Sequence, residues 1–332
     1  MEELLSELGR IKNRVNTEIF RIKNSLKYPK ELYDAVFHLL SRGGKRLRPF
    51  VLIKSTELFS GDTDLALPVA VSIELLHNFT LIHDDIMDQD EMRRGVKTTH
   101  VIWGIPIAMT AGDALFALLF KYLVEELERK GMKADKIATI TRMIADAAIK
   151  VCEGQTMDVL AQDYIRTESD YFEMVSKKTS TLFRISAMLG GLIANASEES
   201  QELLGLYGEN LGISFQIADD ILGLVGDPKI TGKPLGSDLR EGKRTIILLH
   251  AMQSLDETYK MKVNAVLGNR NVSEEQILEV IDILKQAGSI DYAREKAKIF
   301  AEKAIDYLNN LPNNDHRKYL EMLARFAYIR QM

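Results

Sequence analysis

The sequence predicts an all-α protein, folded as one large helical domain over residues 1–332. Three observations predict it. Apolar residues recur at three- and four-residue spacing along nearly the whole chain. No alternating apolar–polar run is bounded by turn signals, as a strand would be. Segments such as 66–83 and 181–194 are apolar on most faces, which places them inside a bundle rather than on its surface.

Helices are expected at about 2–26, 30–41, 47–59, 66–91, 105–129, 133–161, 168–194, 198–226, 242–266, 273–287, 288–309 and 313–331. The prolines punctuate this series. Pro29, Pro49, Pro68 and Pro106 stand near helix starts, Pro312 stands between the last two helices, and Pro228 and Pro234 lie in the long polar loop 227–240.

Composition narrows the function. A chain that is 46% hydrophobic and 27% charged is globular rather than disordered. A net charge of −5 argues against a nucleic-acid partner. Cys152 is alone, which excludes an internal disulfide and suits the cytoplasm; a small buried apolar role is expected for it. In MEELLSELGRIKNRV charges interrupt every apolar stretch, so neither a signal peptide nor membrane insertion is expected.

Two helices end in clustered acids. In LIHDDIMDQDEMRRG, Asp84 and Asp88 are four apart and share a face, with Asp85 beside them, directly after the apolar run VAVSIELLHNFTLI. In GISFQIADDILGLVGD, Asp219 and Asp220 follow another apolar run, with Gln216 one turn before Asp219. Like charges this close repel. Hard divalent cations relieve the repulsion, and Mg²⁺ commonly bridges carboxylates to phosphates. A solvated helix end explains one such string; two of them weaken that explanation.

Two basic segments complement the acids. SRGGKRLRP carries Lys45, Arg46 and Arg48 after a glycine pair that lets backbone approach an anion. Arg93 and Arg94 follow the first acidic cluster; adjacent arginines cannot both face the same carboxylates, so one points elsewhere. The loop TGKPLGSDLREGKRT adds Lys233, Asp238 and Lys243, and Lys178–Thr179 lie in a helix after Tyr171.

GGKRLRP, DDIMDQDEMRRG, the Lys178–Thr179 pair, FQIADDILG and GKPLGSDLREGKRT, spread in order from Arg42 to Thr245, resemble the trans-type prenyl diphosphate synthases, and most of all the archaeal geranylgeranyl diphosphate synthases. The resemblance implies a bundle of about a dozen helices around a deep central cavity, working as a homodimer with two or three Mg²⁺ ions. It implies that Asp84, Asp88 and Asp219 touch the metal, and that Asp85, Asp220 and Asp238 act through water. Arg93, Lys178, Lys233 and Lys243 would hold an allylic diphosphate (dimethylallyl, geranyl or farnesyl). Lys45, Arg48, His77 and Arg94 would hold isopentenyl diphosphate. Thr179 and Gln216 would face the developing carbocation. The second motif departs from the common DDxxD pattern at Gly223, which cannot bind metal.

Phe79 lies five residues before Asp84, about 7.5 Å down a helix from it. Thr80 and Leu76 neighbour it, with Ile73 further along. Phe79 could equally be core. The resemblance implies a floor under the growing chain and a C20 product, rather than C15 or C25. Trp103, Tyr171 and the methionines are expected to serve packing. Two rivals follow from the same motifs. A class I terpene cyclase would not need the GGKRLRP segment, and a non-catalytic partner subunit would not need an intact first acidic motif.

Overall fold

The computed structural model describes residues 1–226 and 235–329. The chain is helical as expected: α1 (Glu2–Ser25), α2 (Lys30–Ser41), α3 (Leu47–Leu58), α4 (Thr63–Met87), α5 (Thr99–Trp103), α6 (Ile105–Arg129), α7 (Ala134–Val159), α8 (Ala161–Tyr164), α9 (Glu168–Val175), α10 (Thr181–Ile193), α11 (Glu198–Val225), α12 (Ser237–Glu241), α13 (Ile246–Ser254), α14 (Glu257–Val266), α15 (Glu274–Gln286), α16 (Ser289–Leu308) and α17 (Asp315–Ile329). The described residues form two compact units. The first is Met1–Ile149, Leu182–Gly208 and Tyr307–Met322; the second is Lys150–Thr181, Glu209–Asp306 and Leu323–Met332.

In the first unit, α1 buries Leu4, Leu8, Ile11, Val15, Ile19 and Ile22, a stripe at helical spacing. Burying each such side chain contributes roughly 1.5–3 kcal/mol. Helix α4 packs between α3 and α6 and is buried on most faces, as its composition predicted. It begins three residues earlier than expected, because the Asp62 carboxylate accepts from the Asp64 N–H at 2.7 Å and caps the first turn. Pro68 therefore stands inside the helix. The end is also earlier. After Met87 the chain turns into a hairpin, β1 (Met92–Arg93) against β2 (Val96–Lys97). Arg94 and Gly95 form its two-residue loop with φ of 53° and 74°, the left-handed pair that matches strand twist. No strand was expected here, since a two-residue strand has too few positions to show alternation.

The second unit is centred on Ile217, Ile221, Ile246, Val263, Ile277 and Ala293. The helix expected over 242–266 is two helices. Asp256 accepts from the Tyr259 N–H at 3.0 Å and starts α14 afresh. Between α9 and α10 the chain makes a π turn, Ser176–Ser180, in which the Thr181 N–H reaches the Ser176 carbonyl. Two glycines press on this turn. A Cβ at Gly154 of α7 would meet the Lys178 N at 2.3 Å, and one at Gly212 of α11 would meet the Ser180 Cα at 2.5 Å. Cys152 is exposed rather than buried. It sits one step beyond Val151, a member of the buried stripe that includes Ile140, Ile144 and Ala148, and so faces away from it.

Candidate active site

The first acidic cluster lies where α4 ends. Asp84 and Asp88 are half-buried, while Asp85 is fully buried. Asp85 Oδ1 accepts from Arg93 Nε at 2.5 Å, and Arg93 also reaches toward Asp90 at 3.5 Å. The hairpin thus folds Arg93 back onto the acids. Asp85 Oδ2 is buried with no hydrogen-bond partner. Burial pushes the Asp85 carboxyl up to about 6, against the opposing pull of Arg93. Arg94 points elsewhere. Its guanidinium donates to the carbonyls of Gly43 and, at 3.2 Å, Leu39, bracing the glycine turn before α3.

In that turn Lys45 is exposed, Arg48 is half-buried over the Phe183 ring at 4.6 Å, and Arg46 is buried. Of the three basic residues suggested by sequence for anion binding, Arg46 faces the core instead. His77 is half-buried on α4, and burial together with Arg48 and the other nearby arginines holds its ring well below the ordinary histidine range. Along the same helix Leu76 and Ile73 are fully buried. Phe79 and Thr80 are half-buried. Phe79 packs edge-on to His83 at 4.8 Å and against Phe116 of α6 at 5.0 Å, and Phe116 continues to Phe120 at 5.4 Å. Thr80 donates to the His77 carbonyl at 2.8 Å.

The second cluster lies on α11. Asp219 is half-buried and Asp220 buried. Asp220 accepts from the Tyr171 hydroxyl at 2.6 Å and from Gln216 Nε2 at 2.7 Å. Gln216 Oε1 in turn accepts from the Thr179 hydroxyl at 2.7 Å. The π turn aims Thr179 at this chain. Burial, and then the negative charge of Asp238, push the Asp220 carboxyl up to about 8. Lys178, next to Thr179, donates to Asp158 Oδ2 at 2.5 Å. Burial would raise the Asp158 carboxyl, but Lys178 and Lys243 more than offset it and hold it below the ordinary value. Lys243 pairs with Glu241 at 2.7 Å and lies 3.9 Å from Asp238. Lys233 lies outside the described residues.

Gly223 has a local explanation. A Cβ placed there would meet the Asp238 carboxylate, with Oδ2 at 2.4 Å and Cγ at 2.8 Å. The carboxylate missing from the motif at position 223 is replaced in space by one from α12.

The polyprenyl synthetase family model matches residues 29–284. The chain belongs to that family. It is 44% identical over 300 residues to a short chain isoprenyl diphosphate synthase of Methanocaldococcus jannaschii, covering 90% of this chain and 89% of that one. It is 42% identical over 334 residues to a geranylgeranyl diphosphate synthase of Saccharolobus solfataricus, covering 99% of both. The crystal structure of geranylgeranyl pyrophosphate synthetase from Pyrococcus horikoshii Ot3 matches with a TM-score of 0.90 at 41% identity, covering 98% of each chain.

Family membership bears on the metal. Among the described residues, no three His, Cys, Asp or Glu side chains already form a cage for an ion. Mg²⁺ does not demand one; it keeps several waters and uses one or two carboxylates together with substrate phosphates. Two half-buried acids beside a buried carboxylate oxygen with no partner fit an ion that arrives with a diphosphate.

Several residues escaped the sequence analysis. Tyr171 does more than pack, since its hydroxyl fixes Asp220. Asp158 holds Lys178, and its signal was an acid one turn beyond the buried Gly154 and Gln155 of α7. Glu74, buried against Arg46, was visible as the one charge inside VAVSIELLHNFTLI.

Proposed function

We propose that the protein is a prenyltransferase that condenses isopentenyl diphosphate with dimethylallyl, geranyl and farnesyl diphosphates, giving all-trans geranylgeranyl diphosphate. The observation that carries this is similarity over 99% of the chain to a protein named geranylgeranyl diphosphate synthase, in a sequence that keeps both acidic clusters and both basic segments. The two units act together as one catalytic domain.

The difficult step is ionisation of the allylic C–O bond. Negative charge grows on the departing diphosphate while positive charge spreads over the allyl group. Asp84, Asp88 and Asp219 directly, and Asp85, Asp220 and Asp238 through water, would hold magnesium, which would supply fixed positive charge to the leaving group. Arg93, Lys178, Lys233 and Lys243 hold the allylic diphosphate. Lys45, Arg48, Arg94 and His77 hold isopentenyl diphosphate; the ring of His77, kept neutral by burial and by the arginines around it, adds a hydrogen bond without competing for their anion. Thr179, tied to Gln216 and through it to Asp220, presents its hydroxyl oxygen to the cation. The isopentenyl double bond attacks, a proton leaves to the departed diphosphate, and the longer allylic product re-enters the cycle. Phe79, with Leu76 and Thr80 on the same helix, ends the cavity at the C20 length.

The enzyme acts in the cytoplasm as a homodimer. Support for the second copy comes from α6, an apolar helix less than half buried within one chain, with Ile105 and Met109 exposed. Incubation with magnesium, labelled isopentenyl diphosphate and an allylic primer tests the proposal. Label in a longer allylic diphosphate is expected. A cyclised hydrocarbon would indicate a cyclase, and label that moves only when a second synthase is added would indicate a partner subunit.

A further inference from the structure

Arg46 belongs to the basic segment but is turned away from solvent. Its side chain is 1% exposed, and it forms an ion pair with Glu74 of α4, Nη1 to Oε1 at 2.5 Å. The same guanidinium donates from Nη2 to the Leu40 carbonyl at 2.8 Å and from Nε to Asn16 Oδ1 of α1 at 3.1 Å. Glu74 Oε1 also accepts from Asn78 Nδ2 at 2.9 Å, one turn further along α4. The backbone at Arg46 is left-handed, with φ of 54°, immediately before α3. A non-glycine residue holds that conformation only where its surroundings over-determine it.

The connections have a direction. Leu40 lies in the last turn of α2, whose carbonyls have no partner within the helix. Arg46 satisfies Leu40, and Arg94 adds to the Arg42 N–H already on Leu39, so two guanidiniums brace the end of α2 and enclose the Gly43–Gly44 turn between them. A Cβ on Gly44 would meet Arg94 Nη2 at 3.1 Å and Arg46 Nη1 at 3.2 Å. Glu74 stands one turn before His77 on α4. The buried pair therefore joins the turn that presents Lys45 and Arg48 to the helix that presents His77.

We infer that Arg46 and Glu74 are positioning residues for the isopentenyl diphosphate site. They touch no substrate; they lock the glycine turn in register with α4, so that Lys45, Arg48 and His77 converge on one anion. This rests on the assignment of Lys45 and Arg48 to isopentenyl diphosphate. A buried ion pair is a poor source of net stability, because desolvation cancels much of the attraction. Its retention at this junction is accounted for by geometry.

The test measures KM for isopentenyl diphosphate, KM for farnesyl diphosphate, kcat and Tm. Glu74→Gln and Arg46→Met should each raise KM for isopentenyl diphosphate about tenfold or more, the scale of a misplaced binding group, with the farnesyl diphosphate KM within about twofold. The double variant Arg46→Met/Glu74→Met removes both charges, which is often neutral for stability. It should recover Tm but keep the raised isopentenyl diphosphate KM. Recovery of KM together with Tm would show that the pair serves stability alone and would overturn the inference. If Arg46→Met does not fold, Glu74→Gln, which keeps the shape of the side chain, decides by the same KM comparison. Lys45→Ala is the control for the underlying assignment. If it leaves KM for isopentenyl diphosphate unchanged, the assignment fails; if it raises that KM while the Glu74 and double variants do not, only this inference fails.

Discussion

At the end of α4 a buried carboxylate faces a guanidinium; on α11 a buried carboxylate faces a phenol and a carboxamide. Asp85 is answered by the charge of Arg93, and its carboxyl rises only to about 6. Asp220 is answered by the neutral donors Tyr171 and Gln216, and its carboxyl rises to about 8. Burial raises both carboxyls; Arg93 is the main opposing influence at Asp85, whereas at Asp220 the negative charge of Asp238 adds to burial, and the hydrogen bonds of Tyr171 and Gln216, then Lys243, only partly oppose it. Identical residue pairs in the sequence, Asp84–Asp85 and Asp219–Asp220, thus carry different electrostatics. In both, the first aspartate is half-buried and the second is fixed beneath it. The inner acid of each pair is held by named hydrogen bonds, Asp85 by Arg93 and Asp220 by Tyr171 and Gln216.

The comparison breaks most visibly at the outer acids. Asp84→Ala and Asp219→Ala should each lower kcat by roughly 100- to 1,000-fold or more, the scale of removing one fixed electrostatic group, with helicity by circular dichroism unchanged. Turnover at the wild-type rate from either variant would remove that acid from the site. Gly223→Asp comes next. It restores the more common DDxxD pattern, yet it drives a side chain into the Asp238 carboxylate. Displacement of that order can cost about 100-fold in rate. Full activity would mean that α12 yields freely and that Gly223 is not holding space for Asp238.

The inner acids separate the two clusters. Arg93→Met strands a buried carboxylate, a loss of about 3–5 kcal/mol. Tyr171→Phe removes one hydrogen bond to a buried carboxyl, a loss of roughly 1–3 kcal/mol. Thermal unfolding should therefore show a larger drop in Tm for Arg93→Met, and equal drops would erase the proposed distinction. Smallest in its effect on turnover is Phe79→Ala. It should leave the rate of primer consumption within a few-fold while opening a path toward Leu76 and Ile73, so that chromatography of dephosphorylated products shows C25 or longer chains. An active variant with unchanged product length would place the floor elsewhere, with Phe116 the nearest candidate.

The helices were legible because their apolar stripes run for many turns. Helix α1 buries the residues that its spacing selects, and α4 is buried on most faces as its composition demands. What stayed hidden was shorter or depended on contacts distant in sequence. The apolar pattern runs through 242–266 without a break, so only the Asp256 side chain marks the boundary between α13 and α14. The hairpin after α4 has strands of two residues, below the length at which alternation can be seen. The acids and bases of the site were legible as types in clusters, but not which would turn inward. Arg46 and Lys45 are adjacent in a basic run, yet one is buried and the other exposed. The difference is set by Glu74, 28 residues away. Tyr171 and Asp220 are 49 apart, and nothing in either segment announces the other.

The central claim is that this chain extends allylic diphosphates to the C20 length. Purified wild-type protein, given magnesium, isopentenyl diphosphate and dimethylallyl diphosphate, should yield geranylgeraniol as the main alcohol after dephosphorylation and reversed-phase chromatography, and no product in chelated buffer. A main product of C15 or C25, or undiminished turnover without divalent cation, would contradict it.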